Sequence, residues 1–223
     1  MPRRAVVFLG PSLSWAEARA VVAAEYRPPA KRGDVLAAAD EGAEVIALID
    51  GVFFQDCSVG HREILAVLNR GVTVVGASSM GALRAAELDS FGMIGVGEIY
   101  RRYRSGEIEA DDEVALTFDP LYYRPLSEPL ITIRVNIARA VTEGALSDEE
   151  AEMIITLTRE LYFPSRTWEN IVAAVGDRLG SGAASRLQAF LAKGCTDPKR
   201  EDAILALVRV RDLINEDRGI VKA

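Results

Sequence analysis

The sequence predicts an α/β fold: a small parallel sheet flanked by helices, followed by a mostly helical C-terminal region. Two observations carry that prediction. Up to about residue 90, short continuous apolar runs alternate with segments of helical period, and continuous rather than alternating apolar strands belong to parallel sheets covered on both faces. From Leu130 onward every periodic segment has the 3.6-residue repeat of a helix.

Arg4 to Leu9 reads as a buried strand, and Ser14 to Glu25 as a helix with Ala16, Ala20, Val21 and Ala24 on one face. Arg27-Pro28-Pro29 is a turn. Gly33 to Glu41 is helical, and Glu44 to Ile49 is a second apolar strand that stops at Asp50-Gly51. His61 to Asn69 is a third helix, ended by Gly71, and Val72 to Val75 a third strand that runs through a small-residue turn into the helix ending at Leu88. Gly97 to Arg104 is helical, Asp111 to Glu113 is an acidic link, and prolines punctuate Asp119 to Pro129. The remaining helices are expected over Ile131 to Val141, Asp148 to Leu161, Trp168 to Leu179, Ala184 to Ala192 and Arg200 to Asn215. This places an α/β core with the active site at residues 1–125 and a helical region at 126–223.

Composition narrows the function classes. With 223 residues, 49% of them apolar, the chain has enough material for a substantial core. A net charge of -7 and a pI near 5.0 argue against a general nucleic-acid binder, which needs a clustered excess of Lys and Arg. The basic run Tyr100-Arg-Arg-Tyr-Arg104 is better explained as the solvated face of a helix. The apolar run Ala5 to Leu9 after the basic start is too short for a signal peptide or a membrane span. Cys57 and Cys195 lack any partner motif, so neither a disulfide framework nor a zinc site is indicated, and a cytoplasmic location is expected.

The segment Val72-Thr-Val-Val-Gly-Ala-Ser-Ser-Met-Gly-Ala-Leu-Arg-Ala-Ala-Glu-Leu88 carries the candidate chemistry. A strand running straight into a tight turn and a helix exposes a nucleophile, provided that the residues two before and two after it are small. Ala77 and Gly81 meet that condition for Ser79, whereas Ser78 would place Met80 at the second crowded position. The Met80 N–H, free at a helix start, would face a developing oxyanion. The bland alternative is a serine that only caps the helix.

A serine hydroxyl needs a base. His61 is the only histidine; it lies close in sequence to Asp50 and Asp56, and a Ser79, His61, Asp50 triad can be written on paper, although a surface or capping histidine fits as well. Lys31 is the other candidate: two prolines stiffen its approach, and Gly33 permits a tight turn before Asp34 caps the next helix. Composition alone favours an exposed lysine beside Arg32. Gly10-Pro-Ser-Leu13 resembles an anion cradle but lacks the spacing of a phosphate loop, so no nucleotide cofactor is expected. Asp111, Asp112 and Glu113 point in different directions and suit a solvated acidic turn, or a contact for the basic helix, better than a metal.

Taken together, Gly10-Pro-Ser-Leu13, Pro28-Pro-Ala-Lys-Arg-Gly-Asp34, Ile49-Asp-Gly-Val-Phe53, His61-Arg-Glu-Ile-Leu65, Gly76-Ala-Ser-Ser-Met-Gly-Ala-Leu-Arg-Ala-Ala-Glu-Leu88 and Asp111-Asp-Glu-Val114 resemble the TfuA-like family over roughly the first 120 residues. The resemblance implies a partner of YcaO enzymes, which replace a peptide backbone amide oxygen by sulfur, as in the biosynthesis of ribosomally made, modified peptides. It implies a Ser-Lys hydrolase that acts on the C-terminal thiocarboxylate of a ThiS-like carrier protein, with the peptide substrate reached through YcaO and no cofactor or metal. Carried over to this chain, Ser79 becomes the nucleophile and Lys31 its base. Met80 with Gly51 or the Ser12 region would donate to the oxyanion, and Asp50 would orient Lys31 or cap the Gly51 turn. Ser78, Ser12 and Ser14 remain alternatives to Ser79. A noncatalytic adaptor that recruits peptide or carrier to YcaO is the competing reading, and a homo-oligomer is left open.

Overall fold

The continuous apolar runs become the central strands of one sheet. The computed structural model describes residues 3–53 and 57–216. Its strands are β1 (Ala5–Phe8), β2 (Glu25–Arg27), β3 (Val45–Leu48), β4 (Thr73–Ala77) and β5 (Ile94–Val96), all parallel and in the spatial order β2-β1-β3-β4-β5. The helices between them are α1 (Trp15–Val21), α2 (Asp34–Asp40), α3 (His61–Asn69) and α4 (Met80–Leu88), with α5 (Glu98–Ser105) after β5. Sequence reading finds three of the five strands. The expected helix from Ser14 to Glu25 ends at Val21, and its last residue begins β2. Both overlooked strands have three residues and lie at the two edges, too short for an apolar run to register.

Each face of the sheet has its own core. Alternate residues of β1 divide between them: Ala5 and Val7 face α1, whereas Val6 and Phe8 face α2, α3 and α4. The first face is completed from the far end of the chain by α10 (Pro198–Glu216), whose Ala203, Ala206, Leu207, Val210 and Leu213 are buried against the strands. The chain accordingly divides into one unit of residues 1–109 and 199–223 and a second of residues 110–198. The boundary expected at residue 125 falls sixteen residues earlier than that, at 109, and α10 joins the α/β unit rather than the helical one. Periodicity located this helix correctly but carries no information about which partner it packs on.

Asp202 of α10 shows how the return is fastened. Its carboxylate accepts the Glu98 N–H (2.7 Å) and the Ile99 N–H (2.8 Å), two of the donors left open at the start of α5. The basic residues of α5 are internally neutralised: Arg101 and Arg102 pair with Glu98, Arg102 also with Glu107, and Arg104 with Asp89.

The second unit packs α6 (Leu130–Thr142), α7 (Asp148–Glu160), α8 (Trp168–Leu179) and α9 (Ser181–Leu191) around Ile133, Ile137, Ile154, Ile171, Val175, Leu187 and Phe190. Its acidic link is structural. Arg134 grips Glu113 with two nitrogens at 2.8 and 2.9 Å. Arg166, only 2% exposed, bonds the Asp112 carboxylate at 2.6 Å and the carbonyls of Asp112, Thr158 and Leu161. Asp112 and Glu113 are therefore bound by arginines rather than left to solvent, whereas Asp111 is exposed, and no group of three or more His, Cys, Asp or Glu side chains among the described residues could hold a metal ion. No helix among them is long and apolar enough to cross a membrane.

Two outcomes follow from the return of α10. Leu207→Ala, at a fully buried position against the sheet, should lower unfolding free energy by about 2–5 kcal/mol in chemical denaturation. Burial is the largest influence on Asp202 and raises its carboxyl pKa above the ordinary 3.8. The folded state therefore holds the Asp202 proton to higher pH than the unfolded chain does. Its stability contribution is fullest below 3.8 and falls as pH rises through the raised value. The stability of wild type relative to Asp202→Asn should decline across that window in denaturant titrations run at several pH values; a constant difference would contradict the assignment.

Candidate active site

In an open parallel sheet the ligand crevice lies beyond the carboxyl ends of the strands, where the strand order switches direction. With the order β2-β1-β3-β4-β5, that point lies between β1 and β3. The loops after β1, β3 and β4 meet there.

The turn after β4 is under strain. Ser78 has φ of +66°, one of only two non-glycine residues with positive φ among those described. The Ser79 N–H donates to the Ala77 carbonyl at 2.8 Å, closing a three-residue γ-turn around Ser78. The positive-φ form of this turn is rare, and such a conformation costs about 1–3 kcal/mol for a residue with a side chain. The cause lies in the packing of α4 on the sheet. A Cβ on Gly81 would sit 1.7 Å from the Leu48 carbonyl oxygen, and one on Gly76 would sit 2.2 Å from the Gly81 carbonyl oxygen. The first turn of α4 thus presses on the ends of both β3 and β4, and the Gly81 N–H bonds the Ile49 carbonyl (3.3 Å).

Small residues on both sides of the turn were expected, and Gly81 fills that role; Gly76, rather than Ala77, is the crowded position on the strand side. Ser79 occupies the N-cap position of α4, yet its side chain forms no capping hydrogen bond. The strain therefore sits one residue before Ser79, and the hydroxyl of Ser79 has no protein partner among the described residues.

Ser78 instead points into a buried hydroxyl chain. Its Oγ lies 2.8 Å from Ser12 Oγ, and Ser12 Oγ donates to Asp50 Oδ1 at 2.7 Å. The second oxygen of Asp50 accepts the N–H of Gly10 (2.8 Å) and of Ser12 (3.0 Å). Ser78, Ser12 and Asp50 are 0%, 3% and 1% exposed, against 5% for Ser79. Both oxygens of Asp50 are thus committed to the β1 loop, so the carboxylate orients neither Lys31 nor His61. The Ser12 N–H is likewise spent on Asp50 and is unavailable to an oxyanion. Among the described residues, the amides of Gly51 and Met80 donate to no protein acceptor, and Gly51 lies against the Met80 side chain: a Cβ built on it would be 3.0 Å from Met80 Cγ.

Lys31 stands on a locked stretch of backbone at the same edge. Ala30 N–H bonds the Asp50 carbonyl (2.9 Å), Lys31 N–H the Asp34 carboxylate (2.7 Å), Arg32 N–H the Cys57 carbonyl (2.7 Å) and Gly33 N–H Glu63 Oε2 (2.8 Å). The Lys31 side chain itself is exposed, and its ammonium has no partner among the described residues. Asp34 does not cap α2 as expected; Gly33, at φ of +93°, takes the cap position and Asp34 turns back onto Lys31. Glu63 was missed by the sequence reading. It is 6% exposed and also accepts the Gly60 N–H at 2.8 Å, the reciprocal half of a capping box whose signal is a Glu three residues after a helix cap.

The histidine reading does not assemble. His61 Nε2 lies 2.7 Å from Glu87 Oε2 on the exposed side of α3, and Glu87 also takes Arg84. Asp56 lies outside the described residues. Ser14 caps α1 by accepting the Glu17 N–H and plays no part at the edge.

The contact at Gly81 makes a direct prediction. Gly81→Ala should abolish native folding, seen as loss of the cooperative thermal transition, because the obstructing atom is strand backbone rather than a movable side chain.

The model of a family described as TfuA-like protein matches residues 50–167, more than half of the chain. That stretch contains Asp50, Gly51, Ser78, Ser79 and Met80. No curated protein matches the chain.

Proposed function

Because the chain belongs to the TfuA-like family, we propose that it is a hydrolase which releases sulfide from the C-terminal thiocarboxylate of a ThiS-like carrier protein, for use by a YcaO enzyme in peptide backbone thioamidation. The observation that carries this reading is the elbow after β4, where a Ser79 hydroxyl and then a Met80 N–H are left without a hydrogen-bond partner among the described residues.

Each part of the edge then has a role. Ser79 Oγ attacks the carbonyl carbon of the thiocarboxylate, and the Lys31 amine takes its proton. The negative charge that builds on the carbonyl oxygen is met by the N–H groups of Met80 and Gly51. On collapse of the tetrahedral intermediate the Lys31 ammonium gives its proton to the thiocarboxylate sulfur, which leaves as hydrosulfide, so that an acyl-Ser79 ester and a neutral Lys31 amine remain. Water, deprotonated by Lys31, cleaves that ester to the carboxylate and restores the Ser79 hydroxyl. Lys31 suits the task because its backbone is fixed at four consecutive amides while its ammonium is unengaged by the described residues.

Purified Ser79→Ala should still bind thiocarboxylated carrier while releasing sulfide at least about 1,000-fold more slowly, the loss expected on removing a nucleophile. Lys31→Ala should show a comparable fall, measured by trapping free sulfide with a chromogenic reagent. Normal release by either variant would refute the Ser-Lys assignment and favour an adaptor that only recruits carrier or peptide.

A further inference from the structure

The hydroxyl chain behind the elbow has a fixed direction. A carboxylate has acceptors and no donor. Asp50 Oδ2 already takes two backbone N–H groups, so the short Ser12–Asp50 contact uses the one hydrogen of Ser12. Ser12 Oγ then has only acceptor capacity for Ser78, which must turn its own hydrogen inward. One anion thereby sets the orientation of two hydroxyls on two different loops, and the second belongs to the strained residue immediately before Ser79.

We propose that Asp50 and Ser12 are positioning residues: through Ser78 they hold the positive-φ turn that aims the Ser79 hydroxyl and the Met80 N–H at a common point. This rests on the reading of Ser79 as nucleophile. The packing at Gly76 and Gly81 forces the chain to reverse at Ser78, and nothing else among the described residues bonds the Ser78 side chain, so the hydroxyl chain is what fixes the orientation of Ser78 within that reversal.

Asp50→Asn separates direction from shape. Its carbonyl oxygen would still accept Gly10 and Ser12 N–H, but its NH2 would now donate to Ser12 Oγ. Ser12 would then donate to Ser78, and the Ser78 hydrogen would lose its buried acceptor. The side-chain volume is unchanged while the polarity of the chain reverses. Sulfide release by Asp50→Asn and by Ser12→Ala should show kcat lower by about 100-fold, the cost of a small misplacement, with KM for the carrier unchanged. In both variants the Ser79 amide, whose bond to the Ala77 carbonyl closes the turn, should exchange with solvent at least about ten times faster by NMR, while amides in the middle of β3 exchange as in wild type.

A purely structural role would speed exchange nowhere selectively and would raise KM or lower the thermal midpoint instead. Wild-type kcat together with wild-type Ser79 amide exchange in Asp50→Asn would overturn the proposal and leave the hydrolase reading intact. Should wild type release no sulfide, the hydrolase reading fails alone, and the Ser79 amide exchange still decides whether Asp50 holds the turn.

Discussion

The approach of the first turn of α4 to the end of β3 governs the rest of the site. With the Leu48 carbonyl occupying the place of a Gly81 side chain, the chain leaving β4 has no room for a gradual bend. It must reverse within Ser78, and the reversal delivers Ser79 and Met80 to the sheet edge at the start of a helix, where backbone N–H groups lack helical partners. Close packing, strain and an available amide are therefore one consequence of two glycines, Gly76 and Gly81, rather than three separate features.

The edge is also organised by two buried carboxylates that have no cationic partner among the described residues. Asp50 is satisfied by two amides and a hydroxyl, and Glu63 by the amides of Gly33 and Gly60. In the helical unit the corresponding acids, Asp112 and Glu113, are instead bound by Arg166 and Arg134. The contrast has a physical basis. Amide-satisfied carboxylates tie loops together without an ion pair. Guanidinium-bound acids cross-link helices, where a fixed ion pair competes with nothing.

The parallel sheet, the elbow and the loop carrying Lys31 were legible in the sequence because each has a local signature: continuous Val and Ile runs, small residues around Ser79, and paired prolines before Lys31. The edge strands were not legible, since three residues such as Glu25-Tyr-Arg27 contain no period to detect. Nor was the destination of α10, because amphipathicity records that a face is buried without recording against what. The role of Asp50 was hidden for a similar reason. A single aspartate after a strand fits a turn cap, a base or an orienting residue equally well, and only the spatial meeting of the β1 and β4 loops assigns it to Ser12 and Ser78.

The same topology explains how Lys31 reaches this edge at all. β2 lies outside β1, so a residue after β2 would ordinarily end beside β1, one strand away from β3. β1 leaves the ladder at Gly10, whose N–H turns to the Asp50 carboxylate, and Pro11 has no N–H with which to continue. The place beside Gly51 is thereby open to the segment that follows β2. Ala30 fills it, pairing in parallel with Gly51 through the Asp50 carbonyl and the Val52 N–H. Asp50 thus acts twice: its side chain draws β1 away, and its main chain receives Ala30 in the place that β1 has left. The lysine is carried to the edge by the same residue whose carboxylate lies behind the elbow.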